Sequence, residues 1–293
     1  PTVVKPAHAT YTESLSRIES SLESTQSRVT STAAQRDAVP ARALFQGWLQ
    51  HARLSGELQS YLFAKQALDI LAERLGSNAA CNEQAQFALA THRPAAASAA
   101  LENCPGGYDI GLQADIAYYQ GQYALALELG IQALNERATP DNSIRLSRLR
   151  MAMGSPHEAA ALMEAAERRY HNGSPHQHAW FKLQRGLIAL HSGDFERARA
   201  LYKSALQELD GWWLAEEHLA EVQLLLGERD KAQELYDVVI DKTGYPEFLD
   251  ARAKMYESAG DLTNAKAMID LARERFEADI ALLPEAVIGH AIP

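Results

Sequence analysis

A glycine followed five positions later by an alanine recurs through the second half of this chain, and that phrase limits what the chain can fold into more than any other feature. It runs Gly121 to Ala126, Gly154 to Ala159, Gly193 to Ala198, Gly227 to Ala232 and Gly260 to Ala265, with the glycines 33, 39, 34 and 33 residues apart. A period near 34 residues marks supersecondary units that cannot bury their own apolar faces and must stack on copies of themselves. Stacked units offer an extended surface, so the pattern points to binding more than to a catalytic pocket.

The phase of the phrase extends to its surroundings. Seven residues before each glycine stands Ala114, Ser147, Gly186, Ala220 or Ala253, so both positions flanking the turn are small and let two helices approach closely. Nine residues after the glycine come Gly130, Met163, Tyr202, Tyr236 and Ile269, and twelve after it Ala133, Ala166, Ala205, Val239 and Ala272. These form the inner stripe of the second helix of each unit. No strand alternation is convincing anywhere, and the chain reads as almost wholly helical.

Gly193, Asp194, Phe195, Ala198, Tyr202 and Ala205, preceded by Gly186, resemble a tetratricopeptide repeat. The resemblance implies an all-α fold, a right-handed α-solenoid of tetratricopeptide-like helix pairs. Pro140, Pro175 and Pro246 fall a few residues later than the proline that closes each unit in that family. The organisation expected is an N-terminal helix and linker over 1–39, degenerate helix pairs over 40–107, five repeats over 108–275, and the start of a further helix or capping segment over 276–293. Apolar residues at Leu15, Ile18, Leu22 and Val29 define the first helix, and Leu44, Trp48, Leu58, Leu62, Leu68 and Leu71 the faces of the next two. The interval of 39 residues is assigned to a loop from His171 to His178 between the second and third units.

In tetratricopeptide arrays the first helix of each unit lines the concave side, where protein or peptide ligands lie. Carried onto this sequence, that places Tyr108, Asp115, Tyr118 and Tyr119, then Arg148 and Met151, then Trp180, Leu187 and His191, then Glu217 and Glu221, and finally Lys254 in the groove. The face is aromatic and apolar near its middle and acidic toward the carboxyl end, which suits an amphipathic or basic segment of a partner. Glu217 and Glu221, one helical turn apart, argue against the clamp that some members of the family close on a free carboxylate.

Other chemistry is sparse. With 38 acidic and 28 basic side chains the net charge is −10, which repels a phosphate backbone, and no basic patch offsets it, so nucleic acid is not expected as a partner. No apolar run is long enough to span a membrane. His171, His176 and His178 lie close in sequence and are residue types that hold zinc or copper, which gives an alternative reading as a metal-handling accessory protein. Glu216 and Glu217 before His218 could suggest acid–base work, but solvated helix faces are rich in carboxylates, and no nucleophile elbow, phosphate loop or dinucleotide fingerprint is present. The expectation is a non-catalytic scaffold or adaptor without a cofactor; a regulatory subunit of an enzyme complex is a further alternative.

Cys81 and Cys104 are the two cysteines, and the break at His92, Arg93 and Pro94 lies midway between them. Helices folding back there would bring the thiols to the open end of one antiparallel pair. A bridge implies an oxidising compartment, whereas two buried reduced thiols would suit a cytoplasmic protein. The missing initiator methionine, the Ser- and Thr-rich leader and the paired cysteines favour an exported, periplasmic or membrane-tethered protein whose signal has been removed.

Overall fold

The computed structural model describes residues 9–31, 37–102, 104, 109–170 and 173–291, without the side chains of 77, 78 and 288–291. Tyr108 and His171 therefore lie outside the described residues. The described chain divides into two compact units: one comprises residues 15–169 with 282–291, the other residues 9–14 with 170–281.

The amino-terminal unit begins with α1 (Tyr11–Thr30, most of which belongs here) and the pair α2 (Ala38–Ser55) and α3 (Leu58–Leu75). Leu22 and Val29 of α1 join Leu44, Phe45 and Leu49 of α2 and Leu68 and Leu71 of α3 in one core. A β-carbon at Gly47 would stand 2.8 Å from Leu22 Cδ2, so the absence of a side chain there lets α1 lie close on α2. After a 3-10 turn at Ser77–Ala80 come α4 (Cys81–Ala90) and α5 (Pro94–Glu102), then α6 (Ile110–Tyr119) with α7 (Tyr123–Glu136) and α8 (Pro140–Ala152) with α9 (Pro156–Arg169). Cys81 and Cys104 are joined across the open end of the α4–α5 pair, with Cα atoms 5.5 Å apart. The same unit includes α16 (Pro284–Ala291), whose Glu285 approaches Arg93 at 3.8 Å.

The carboxyl-terminal unit contains α10 (Pro175–His191) with α11 (Phe195–Glu208), α12 (Trp213–Leu225) with α13 (Arg229–Thr243), and α14 (Pro246–Ser258) with α15 (Leu262–Leu282). A ladder of two residues per strand departs from the wholly helical expectation: β1 (Ala9–Thr10) pairs in parallel with β2 (Leu209–Asp210). Strands this short have no alternation for a sequence to show.

One turn repeats throughout. The glycines at 121, 154, 193, 227 and 260 have φ between 74° and 81°. The residue after each donates its N–H to the carbonyl five positions back, Gln122 to Ala117, Ser155 to Arg150, Asp194 to Ala189, Glu228 to Gln223 and Asp261 to Tyr256, at 2.8 to 2.9 Å. This is the Schellman closure, and only a left-handed residue allows it. The alanine five past each glycine is buried to 2% exposure or less, and every small residue seven before it is buried. The close approach follows from these pairs; Ser147 even donates its hydroxyl to the Ala159 carbonyl at 2.7 Å.

The α4–α5 pair makes the same turn without glycine. His92, at φ 56°, occupies the left-handed position, and Arg93 N donates to Ala88 O at 2.8 Å. Ala85 and Ala97, seven before and five after His92, are fully buried. A further copy of the repeat therefore stands here.

Two expectations about the helix ends change. Pro140, Pro175 and Pro246 sit in the first turn of α8, α10 and α14, where a missing N–H costs no helical bond. They open the next unit instead of closing the last. The long interval is not taken up by an extended loop either: α10 has 17 residues against 13 in each of α8, α12 and α14. Ser174 and Gln177 form a capping box that starts α10 early, and His176 and His178 lie in its first turn. Within each unit the helix pairs form a right-handed α-solenoid.

Candidate binding surface

In the amino-terminal unit, first helices α6 and α8 bring four of the expected groove residues together. Asp115 accepts from Arg145 Nε at 2.8 Å and from Arg148 Nη2 at 3.1 Å. The Arg148 guanidinium lies over the rings of Tyr118 and Tyr119, 5.3 and 5.7 Å from their centroids, and these rings meet edge to face. Arg145 passes over Gly111, where a β-carbon would stand 2.5 Å from Nη1, and also reaches Asn142 Oδ1 at 2.8 Å. Burial works against the Arg145 charge, but the charge and hydrogen bond of Asp115 outweigh it and hold the guanidinium above its ordinary value. A cavity of about 10 Å³, room for one water, lies beneath Asp115 and Arg148. Asp115 and Arg148 are thus paired with each other, and the group exposes the aromatic ring of Tyr119 and part of Arg148, with Met151 half-buried on α8.

In the carboxyl-terminal unit, Trp180 of α10 is half-buried edge-on to Phe181, Leu187 is half-buried, and exposed His191 holds the Leu187 carbonyl through Nδ1 at 2.7 Å. Lys254 on α14 is paired with Asp250 at 2.6 Å. Between α12 and α14 opens a cleft of about 350 Å³ lined by Leu224, Arg229, Ala251, Lys254, Met255 and Ser258. Arg229 donates to Ser258 Oγ at 2.6 Å on its rim. Lys254 was expected here; Ala251, Met255 and Ser258 were legible only as further positions on the same face of α14, and Arg229, at the start of a second helix, was not.

Glu217 and Glu221 do not simply face a groove. They converge on His218, whose Nδ1 is 3.1 Å from Glu217 Oε2 and 3.3 Å from Glu221 Oε2. The imidazole stacks on the Tyr202 ring at 5.5 Å with 21° between planes. Burial raises the Glu217 carboxyl, and the charge of Glu221 adds to it. For His218, burial opposes the charged form, but the hydrogen bond it donates to Glu221 and the charges of both glutamates prevail and raise it. Among the described residues these three side chains are the group of three or more ligand atoms close enough to hold one ion. Neither His176 nor His178 belongs to it; His176 is buried edge-on to Trp212, with ring centroids 5.1 Å apart. The Glu-His-x-x-Glu spacing was visible in the sequence, but the same residue types on open helix faces are common.

Among the described residues no helix is long and apolar enough to cross a membrane. A family model described as tetratricopeptide repeat matches residues 189–255, from the end of α10 into α14. No curated protein matches the chain. Similar solved structures include MamA, 19% identical over 57% of this chain and 96% of that one, TM-score 0.45. MamA from Desulfovibrio magneticus RS-1 is 12% identical over 58% of this chain and 94% of its own, TM-score 0.47. A thermophilic tetratricopeptide-repeat protein of Thermus thermophilus is 24% identical over 62% of this chain and 96% of its own, TM-score 0.44. A tetratricopeptide repeat is thus matched over residues 189–255, and the same turn closes each pair from α4–α5 to α14–α15.

Proposed function

We propose that this chain is a non-catalytic scaffold or adaptor that holds a segment of a protein partner against the first helices of its repeats. The observation that carries the reading is the cleft of about 350 Å³ between α12 and α14, where Leu224 and Met255 offer an apolar floor beside Arg229 and Lys254. An amphipathic segment satisfies such a site, placing apolar side chains in the cleft and polar ones at its rim. Trp180 and Leu187 on α10, and the tyrosines of α6 in the other unit, supply the kind of rigid apolar contact area on which interfaces depend. The net charge of −10 favours a partner of opposite sign through faster encounter. Residence in an oxidising compartment is part of the proposal and is supported by the Cys81–Cys104 bridge.

Affinity capture with the native chain and with Trp180→Ala, Tyr118→Ala and Leu224→Ala, each checked for unchanged helical circular dichroism, tests the reading. Loss of the same captured protein in at least one variant supports it. Unchanged capture by all three would remove the first-helix faces as the binding surface.

A further inference from the structure

We infer that Glu217, His218 and Glu221 of α12 form a binding site for a first-row divalent cation of the zinc class, closed on its inner side by the hydroxyl of Tyr202. The distances fit: bonds of about 2.0–2.2 Å from nitrogen and oxygen ligands to a shared ion set neighbouring ligand atoms about 3–3.5 Å apart. His218 Nδ1 stands 3.1 and 3.3 Å from the two carboxylates, and all three ligand atoms fall within 4.8 Å of one another.

Charge points the same way. Among the described residues neither Glu217 nor Glu221 meets a lysine or arginine, and one imidazole serves both. Elsewhere the chain supplies its enclosed carboxylates with strong cations: adjacent Glu216 pairs with Lys242 at 2.6 Å, and Asp115 with two arginines. Two partly buried carboxylates around a single histidine are short of positive charge, and a divalent ion supplies it.

A separate observation marks the inner wall. The Tyr202 hydroxyl is completely buried and has no hydrogen-bond partner, which is costly for a phenol. Its ring lies nearly parallel to the His218 imidazole, and the charges of Glu221 and Glu217 both bear on the phenol. An ion with three protein ligands keeps an open position for water, and that water offers the orphan hydroxyl its partner. The side chains of Glu217 and His218 are 16% and 19% exposed, too enclosed for the arm of a partner's lysine, whereas Glu221 at 43% leaves a mouth wide enough for an ion. One imidazole with two carboxylates suits zinc and its first-row neighbours; magnesium and calcium favour six or more oxygen ligands.

Calorimetry on the chelator-treated full chain tests the site, with zinc chloride and magnesium chloride as separate titrants. One zinc per chain and no magnesium heat is the expected result. Glu217→Gln with Glu221→Gln, which keeps side-chain shape, should weaken zinc by more than the roughly 10- to 100-fold that loss of an outer-shell partner costs, and Tyr202→Phe by about tenfold. His171→Asn with His178→Asn should leave the affinity unchanged. Absence of zinc heat, binding that survives the double glutamine variant, or binding lost with the 171 and 178 pair would each overturn the proposal. X-ray absorption of the zinc-loaded native chain needs no variant: a first shell of one imidazole nitrogen among oxygens at about 2.0–2.1 Å supports the site, and two or more imidazoles contradict it.

Discussion

The ring of Tyr202 lies so low over Gly186 that a β-carbon at 186 would stand 2.3 Å from Cε1 and 2.7 Å from Cδ1. The equivalent pair in the following repeat is Ala220 with Tyr236, where a methyl group is accommodated. Gly186→Ala should therefore destabilise the carboxyl-terminal unit, because overpacking of about 1–3 kcal/mol exceeds the helix propensity gained. Tyr202→Leu, introduced second, should recover part of the loss. Urea midpoints of the two single variants and the double variant measure the coupling; strict additivity would place the strain elsewhere.

His92 takes the left-handed turn that glycine takes in the later repeats. A left-handed conformation costs an ordinary residue about 1–2 kcal/mol. Gly193→Ala should therefore lower stability by about that amount even though nothing lies within 4 Å of the added carbon. An unchanged thermal midpoint would show that backbone conformation does not decide the residue at this position.

The Cys81–Cys104 bridge closes a segment with a sequence separation of 23. In the chain-entropy account its loss costs about 3 kcal/mol. A Cys81→Ser, Cys104→Ser variant should unfold at a lower temperature than the native chain, and reducing agent should lower the native midpoint while leaving the variant unchanged. Thiol titration of the unreduced, denatured chain should find no free thiol.

Asp115 accepts hydrogen bonds from two guanidiniums at once, and Arg145 is four-fifths buried. Asp115→Asn should cost about 2–3 kcal/mol, since it leaves the enclosed Arg145 without its paired anion. Arg148→Met should cost less, because Arg145 retains its bond to Asp115 and the methionine stem still covers Tyr118. Chemical denaturation followed through the tyrosines reads both; equal losses would show that the network is not centred on Asp115.

The turn glycines and the small residues around them were legible because each follows from one steric demand repeated at a fixed spacing. The α4–α5 copy was harder to read, since His92 performs by conformation what glycine performs by lacking a side chain. The extra residues before α10 looked like a loop because His171 to His178 is polar and carries a proline, yet Ser174 and Pro175 are also the residues that begin a helix. The β1–β2 contact rests on two residues from each strand and left no pattern to find. On the candidate surface, placement on the first helices followed from the repeat phase. That Asp115 and Arg148 satisfy each other depends on the register of α6 against α8, and the convergence of Glu217 and Glu221 on His218 depends on rotamers; neither is written in spacing alone.

Whether partners lie against first helices can be read with a photo-reactive residue. Benzoylphenylalanine placed at Leu224 on α12, and separately at Val238, 41% exposed on second helix α13, reports which face a captured partner touches. A covalent adduct from position 224 and none from 238 is expected. An adduct from 238 with none from 224 would place partners on the second helices instead.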